Sequence, residues 1–205
     1  MAVMHVPAAQ PPDWSDVPPE SLVIKDLLDL RNRIDTGRKR AEIIEGRLVV
    51  SPMPVIWHER ACDWLHNQVR DVSRERGWFV DRAGEIQLPP TSDLIVPDLM
   101  VLSDADDLPD LESLRPLDHV LLVAEVISRS SIREDREVKP RACGLAGVPF
   151  YVLVDRFTEP MTVSLFSAPG RNGYATVSTV QVGGKLQVPA PFDVTLDTAS
   201  LPLPR

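Results

Sequence analysis

Two acidic side chains stand inside apolar runs of the sequence, where a carboxylate is unusual. Asp98 follows Pro97 within Ile95–Leu102, and Glu125 interrupts the run Leu121–Ile127. An unpaired carboxylate is expensive to bury, so each acid needs hydrogen bonds or a cation, and buried charges concentrate at working sites. Two oxygen donors with open coordination positions suit Mg²⁺ or Mn²⁺. The pair therefore predicts a divalent metal site that could act on a phosphodiester.

Three further polar residues are candidates for the same chemistry. Lys139 could orient a water molecule or stabilise developing negative charge, although a lone lysine is by default a solvated surface residue. His58 begins the apolar stripe of a helix, where a histidine is more often a hydrogen-bonded core or cap residue than a functional one. Glu42 is as readily an ordinary strand carboxylate as a member of a metal site. We keep Lys139 as the candidate catalytic lysine, and Glu42 and His58 as possible accessory residues.

The elements that must position these residues are short strands and helices. Apolar runs with continuous or period-two patterning predict strands, and apolar steps of three and four predict helices. The predicted strands are a hairpin over 41–50 turning at Glu45-Gly46, a strand or hairpin over 78–88, strands over 94–102, 119–127 and 150–155, and an antiparallel extension over 161–182. The predicted helices cover 21–34, 57–76 and the polar segment before residue 147, where Pro140 starts or kinks the helix. This order indicates an α/β fold.

The chain length and the proline distribution predict one folded domain with two extensions. At 205 residues the chain is too short for two large domains. We expect a flexible Pro-rich arm over 1–20, a single domain over 21–188, and a Pro-rich C-terminal tail over 189–205 that wraps the surface.

Charge and cysteine content exclude several classes of protein. The net charge of −8 disfavours DNA binding by a general electrostatic field, but leaves room for an enzyme with a local basic groove. Cys62 and Cys143 are too few for a disulfide framework or a Cys-rich zinc site, and are expected as core residues. No apolar run reaches the roughly 20 residues that span a bilayer. We therefore expect a cytoplasmic protein with no membrane association.

Several motifs occur in an order that resembles a known family. These are Glu42-Ile43-Ile44-Glu45-Gly46, Ser51-Pro52 with His58, Pro97-Asp98, Glu125-Val126-Ile127-Ser128, Asp135, Lys139, and Gly147-Val148-Pro149 with Tyr151 and Asp155. Together they look like the Uma-type putative restriction endonuclease family of the PD-(D/E)XK nuclease superfamily. The resemblance spans about residues 22 to 182.

The resemblance implies a restriction-endonuclease-like mixed β-sheet flanked by helices and metal-dependent cleavage of DNA. Asp98 and Glu125 would be ligands of Mg²⁺ or Mn²⁺. Ile127 stands where the superfamily's usual motif has a lysine, so Lys139 would take the lysine's role from the following segment. Glu42 and His58 would be accessory residues, DNA the substrate, and a homodimer a possible assembly. The alternative is a nuclease-fold binding or regulatory protein whose catalysis has lapsed, to which the acidic balance and Pro140 point.

Overall fold

The structure is a computed structural model that describes residues 26–31, 40–52, 55–82, 84–103 and 114–204. Its helices are α1 (residues 26–31), α2 (Ile56–Glu75) and α3 (Lys139–Leu145). Its strands are β1 (Arg40–Ile44), β2 (Arg47–Ser51), β3 (Phe79–Asp81), β4 (Ile86–Leu88), β5 (Asp93–Ile95), β6 (Leu99–Leu102), β7 (Val120–Val126), β8 (Phe150–Asp155), β9 (Thr162–Gly170), β10 (Gly173–Gln181), β11 (Lys185–Val188) and β12 (Val194–Asp197). The arm predicted for 1–20 and the ends of the helix predicted for 21–34 lie outside the described residues. No helix in the described part of the chain is long and apolar enough to cross a membrane.

Three sheets organise the described strands. The largest has the order β10-β9-β8-β7-β6-β3 and is mixed, because β7 and β8 run parallel while its other neighbours are antiparallel. A four-stranded antiparallel sheet has the order β2-β1-β5-β4, and β11 pairs with β12. Glu125 lies on β7, in the interior of the mixed sheet, opposite Leu153 of β8. The predicted α/β class and the antiparallel extension, β9 with β10, are confirmed.

The hairpin of β1 and β2 turns where the sequence predicts. Its register leaves Glu45 and Gly46 as the two turn residues, with φ angles of 50° and 69°. A two-residue hairpin loop with a type I′ turn requires positive φ at both turn positions. Glycine meets this requirement without steric strain. Side chains alternate along a strand, so Arg40 and Glu42 lie on the same face of β1.

Helix α2 packs its predicted apolar stripe against the mixed sheet. Cys62, Leu65 and Val69 are buried in one core cluster with residues of β6, β7 and β8. Removing a side chain of this size from such a core costs about 2–5 kcal/mol, as for a Leu→Ala change. The same packing fixes His58, which is buried on the first turn of the helix.

The single Pro-Asp strand predicted from the sequence is two strands in two different sheets. Val96, Pro97 and Asp98 separate β5 from β6. Pro97 has no N–H, and the amides beside it bond side chains: Val96 N donates to Glu42 Oε1 at 2.9 Å and Asp98 N donates to Glu125 Oε2 at 3.2 Å. The prediction of one continuous strand is wrong because these donors bond the site carboxylates and not a neighbouring strand.

A helical segment connects β7 to its parallel neighbour β8. A π-helical turn covers Glu134–Val138, and α3 follows it directly. Pro140 is the second residue of α3, but the chain is already helical from residue 132, so the N–H that proline lacks is missing from a continuous helical segment. Lys139 is itself helical, with φ −63° and ψ −46°. The sequence predicts that the helix starts or kinks at Pro140; the structure has helical residues on both sides of it and a π-helical turn directly before α3, an irregularity that is frequent at functional sites.

The segment after Val188 differs from the predicted surface tail. Strand β12 pairs with β11, and Phe192, Leu196 and Leu201 are buried in the same core cluster as α2. Trp57 Nε1 also donates to Pro202 O at 2.8 Å. The prolines suggested an extended tail, but the apolar side chains between them are enough to hold the segment in the core.

Candidate active site

The structure brings all five predicted site residues into one buried cluster. Glu42 comes from β1, Asp98 from the break between β5 and β6, Glu125 from β7, and Lys139 from the start of α3; each is at most 3% exposed. His58 joins them from α2 and is 7% exposed. Polar groups this deeply buried must satisfy one another, because water cannot.

Lys139 contacts three carboxylates. Its Nζ lies 2.8 Å from Glu125 Oε1, 3.1 Å from Glu42 Oε1 and 3.1 Å from Asp135 Oδ1. Burial alone would lower the pKa of Lys139, but the charges of these three acids outweigh it and hold that pKa well above its ordinary value. Lys139 is therefore an ammonium group in this site, which can donate hydrogen bonds but cannot accept a proton.

Asp98 and Glu125 meet at the end of β7 and are held by backbone hydrogen bonds. Asp98 N donates to Glu125 Oε2 at 3.2 Å, and Val126 N donates to Asp98 Oδ2 at 2.8 Å. Each carboxylate therefore has one oxygen fixed by the main chain. This mutual attachment confirms the expectation that the two acids lie together.

The two acids differ in how readily they ionise. Burial alone would raise the pKa of Asp98, but the hydrogen bond with His58 and the charge of Arg40 outweigh it, so this pKa lies well below its ordinary value. Burial raises the pKa of Glu125 well above its ordinary value; Lys139 opposes this shift and Asp98 adds to it. Asp98 therefore ionises more readily than Glu125.

Arg40 is a site residue that the sequence prediction missed. Its Nη1 donates to Asp98 Oδ1 at 2.6 Å and lies 3.9 Å from Glu125 Oε2. Its side chain is 28% exposed, whereas those of the two acids are at most 2% exposed. The alternation of β1 carried the signal, because a residue two positions before Glu42 must share its face.

Asp135 is the second missed site residue. It is buried in the π-helical turn, four residues before Lys139, and its backbone O accepts a hydrogen bond from Tyr151 Oη at 2.9 Å. A spacing of four places two residues on one side of a helical segment. That spacing was visible in the sequence, but the burial that makes the pair matter was not.

His58 lies between Asp98 and Cys62. Its Nε2 is 3.1 Å from Asp98 Oδ2, and its Nδ1 is 3.6 Å from Cys62 Sγ. Ligand atoms of the three residues lie within 4.8 Å of one another, so they form a possible metal site. However, the carboxylate and the thiol face different nitrogens of the ring, and burial raises the pKa of the Cys62 thiol, whereas a metal binds the thiolate. This arrangement suits a histidine that orients Asp98.

The charges of the cluster fit a hard divalent cation. The buried carboxylates are four: Glu42, Asp98, Glu125 and Asp135. The permanent cations that contact them among the described residues are Lys139 and Arg40. With all four acids ionised, two negative charges would have no compensating charge. Burial raises the pKa of Glu125 and of Asp135, which opposes this ionised state. A divalent ion would supply this charge, and carboxylate oxygens are the ligands that Mg²⁺ and Mn²⁺ prefer.

Comparison with known proteins gives a family and a fold. The family Uma2, described as "Putative restriction endonuclease", matches residues 24–199. One similar solved structure is the crystal structure of a putative nuclease belonging to DUF820 from Anabaena variabilis, with a TM-score of 0.68 and 17% sequence identity over 85% of this chain and 96% of that one. No curated protein matches. At this identity the solved structure supports the nuclease-like fold, and the family match covers most of the sequence. The chain therefore belongs to the Uma2 family of putative restriction endonucleases.

Proposed function

We propose that this protein is a divalent-metal-dependent endonuclease that hydrolyses DNA phosphodiester bonds. The observation that supports this most is the buried Asp98–Glu125 pair, with the Lys139 ammonium 2.8 Å from Glu125. Asp98 and Glu125 would hold Mg²⁺ or Mn²⁺. The description of the family agrees with this proposal, and so does the similarity to a solved protein described as a putative nuclease.

Lys139 assists the reaction as a donor. A divalent ion held by Asp98 and Glu125 would supply positive charge to polarise the phosphodiester, activate water and stabilise the leaving oxygen. Lys139 is protonated and its three N–H donors face three carboxylates, so one of these donors must leave its carboxylate to bond the attacking water or a non-bridging phosphate oxygen. It does not remove a proton from the water.

Glu42 and His58 act by positioning other residues. Glu42 Oε1 accepts from Val96 N at 2.9 Å and lies 3.1 Å from Lys139 Nζ, so it ties the lysine to the strand break that presents Asp98. His58 contacts Asp98 Oδ2, the oxygen that also accepts from Val126 N. Substituting a group that supports a metal ligand in this way typically lowers metal affinity or activity by about 10–100-fold.

Cleavage of a varied DNA panel tests the proposal. Purified protein is incubated with supercoiled plasmid, linear duplexes and single strands in Mg²⁺ or Mn²⁺. We expect nicking that EDTA abolishes and that Asp98→Asn lowers about a hundredfold or more. Asp71→Asn is the matched control, because Asp71 is an exposed acid on α2. A panel left uncut in both metals would contradict the proposal.

One observation favours a second candidate, a nuclease-fold binding or regulatory protein without catalysis. The Arg40 guanidinium already contacts Asp98 and lies close to Glu125, where it could serve as a permanent counter-ion in place of a metal. Titration calorimetry with Mn²⁺ separates the two. Binding that is lost in Glu125→Gln supports the nuclease, whereas the absence of any binding heat supports the lapsed protein.

A further inference from the structure

Two arginines and two aromatic rings form a continuous stack beside the candidate site. Arg156 Cζ lies 5.1 Å from the centroid of the Trp57 ring and 4.9 Å from that of Phe157, and Arg129 Cζ lies 5.9 Å from the Phe157 centroid. We call these four residues the arginine–aromatic stack. Arg129 is exposed, and the other three are half-buried.

The stack lies at the edge of the sheet where the site carboxylates meet. Arg129 follows the end of β7, four residues after Glu125, and Arg156 directly follows the end of β8. These strands are parallel neighbours, so both arginines leave the sheet at the same edge. Trp57 immediately precedes His58, which contacts Asp98. The stack is therefore connected to the site through three elements, namely β7, β8 and α2.

The arginines of the stack differ from their neighbours in their partners. Arg133 and Arg136 form ion pairs with Glu45 and Asp155. Neither Arg129 nor Arg156 forms an ion pair with any carboxylate in the part of the chain that the structure describes. Two uncompensated guanidinium groups thus lie beside an acidic cluster, in a chain whose net charge is −8.

Stacking on a ring prepares a guanidinium to bind phosphate. A cation–π contact with an aromatic ring orders a guanidinium, whose five N–H donors lie in its own plane. Those donors match the geometry of a phosphate, and a side chain already ordered loses less entropy on binding. The acidic cluster repels a polyanion, so a substrate of this kind needs a local source of positive charge.

We propose that the arginine–aromatic stack binds the phosphate backbone of DNA next to the bond to be cut. This inference rests on the proposed nuclease function and identifies the surface that holds the substrate. The two arginines of the stack would form a local basic surface for DNA on a chain whose net charge is −8. Each arginine is expected to neutralise one phosphate, so each contributes about one unit to the slope of log K against log salt.

The test is DNA binding without cleavage. Fluorescence anisotropy of a labelled duplex in Ca²⁺, at several KCl concentrations, is measured for the wild-type protein, Arg129→Gln, Arg156→Gln and the double variant. Arg171→Gln is the matched control, because it removes one exposed arginine next to Gly173 at the β9–β10 turn. Urea denaturation confirms that the variants are folded.

We expect each single variant to weaken DNA binding severalfold and to lower the slope of log K against log salt by about one unit. The double variant should lower that slope by about two units, and the control should leave it unchanged. Arg156→Lys keeps the charge but loses the planar fork, so we expect it to bind between wild type and Arg156→Gln. If the wild-type protein binds DNA and the folded variants have the same salt slope as wild type, the inference about the stack is overturned. The proposed nuclease function is not affected by that result. Loss of slope in a protein that binds but never cuts DNA would support the stack and contradict the nuclease.

Competition identifies the source of the phosphate. Inorganic phosphate, added at the same concentration of phosphate groups as unlabelled duplex, should displace the labelled DNA far less than the duplex does. Equal displacement by inorganic phosphate would show a site for free phosphate and would overturn the proposal, as would a wild-type protein that binds no DNA at low salt.

Discussion

The guanidinium of Arg40 donates a hydrogen bond to Asp98 Oδ1 at 2.6 Å, on the side of that carboxylate that the main chain leaves open. Its Nη1 is also 3.9 Å from Glu125 Oε2. Arg40 therefore supplies positive charge to the same two carboxylates that are proposed to hold the metal. The Arg40 guanidinium and a divalent cation would compete for the carboxylate oxygens of Asp98 and Glu125.

The first prediction follows from this competition. Arg40→Gln removes the charge and leaves a shorter, neutral hydrogen-bond donor, so the affinity of the site for Mn²⁺ should rise severalfold by titration calorimetry. Arg47→Gln, which removes an exposed arginine from the same hairpin, is the control and should bind as wild type does. A weaker affinity in Arg40→Gln would show that Arg40 supports the metal site instead of competing with it.

The second prediction concerns the stability that Lys139 provides. Lys139→Met leaves the carboxylates of Glu42, Glu125 and Asp135 without their shared cation, and breaking a buried pair in this way costs about 3–5 kcal/mol. Urea denaturation without metal measures the loss, and Lys139→Arg should retain part of the stability. Lys185→Met, an exposed lysine on β11, is the control. A loss below about 1 kcal/mol in Lys139→Met would mean that the three acids are neutral in the folded protein.

The third prediction is a pH dependence of stability. The pKa of Glu125 is higher in the folded protein than its ordinary 4.5, chiefly because of burial. Its contribution to stability is therefore fully present below that ordinary value and is lost as the pH rises through the folded pKa. Glu125→Gln carries no titrating group at this position, so in EDTA it should gain stability relative to wild type between acidic and mildly alkaline pH.

Denaturation curves at several pH values check this dependence, with Glu75→Gln at the exposed end of α2 as the control. The same Glu125→Gln protein should bind no Mn²⁺ and cut no DNA. A stability difference that stays constant over the pH range would contradict the shifted pKa.

The fourth prediction distinguishes the two possible metal sites. Cys62→Ala removes the only sulfur ligand of the His58, Cys62 and Asp98 group, but should leave Mn²⁺ affinity and cleavage within about twofold of wild type, since Mn²⁺ prefers oxygen ligands. His58→Asn should lower activity about 10–100-fold, because Asp98 loses the group that orients it. If Cys62→Ala abolished metal binding, the ion would lie at the histidine and cysteine, not between the acids.

For Asp98 and Glu125 the sequence made the burial visible, whereas the burial of Lys139 and Glu42 was not visible in it. An acid within an apolar run, as at Asp98 and Glu125, must be buried, and a buried acid needs a partner, so their convergence could be predicted from the sequence alone. Arg40 and Asp135 were missed because neither lies in an apolar run. Arg40 matters through its contact with Asp98, which lies far from it in the chain, and Asp135 matters because its contact with Lys139 is buried.

The fold was predictable where local pattern decides it and not where long-range pairing does. The Glu45-Gly46 turn and the stripe of α2 follow from local geometry. The break at Pro97 and the burial of Phe192 follow from partners that local sequence does not reveal. The roles of the site residues, the cytoplasmic location and the homodimer stay predictions, and sedimentation measures the last of these.

A crystal of the protein soaked in Mn²⁺ tests the central claim most directly, through the anomalous signal of the metal. We predict a peak at ligand distances of about 2.0–2.3 Å from one oxygen each of Asp98 and Glu125, with the Arg40 guanidinium moved away from Asp98 and Lys139 still beside Glu125. A peak bound by His58 and Cys62 without Glu125, or no peak in the cluster at millimolar Mn²⁺, would contradict the account.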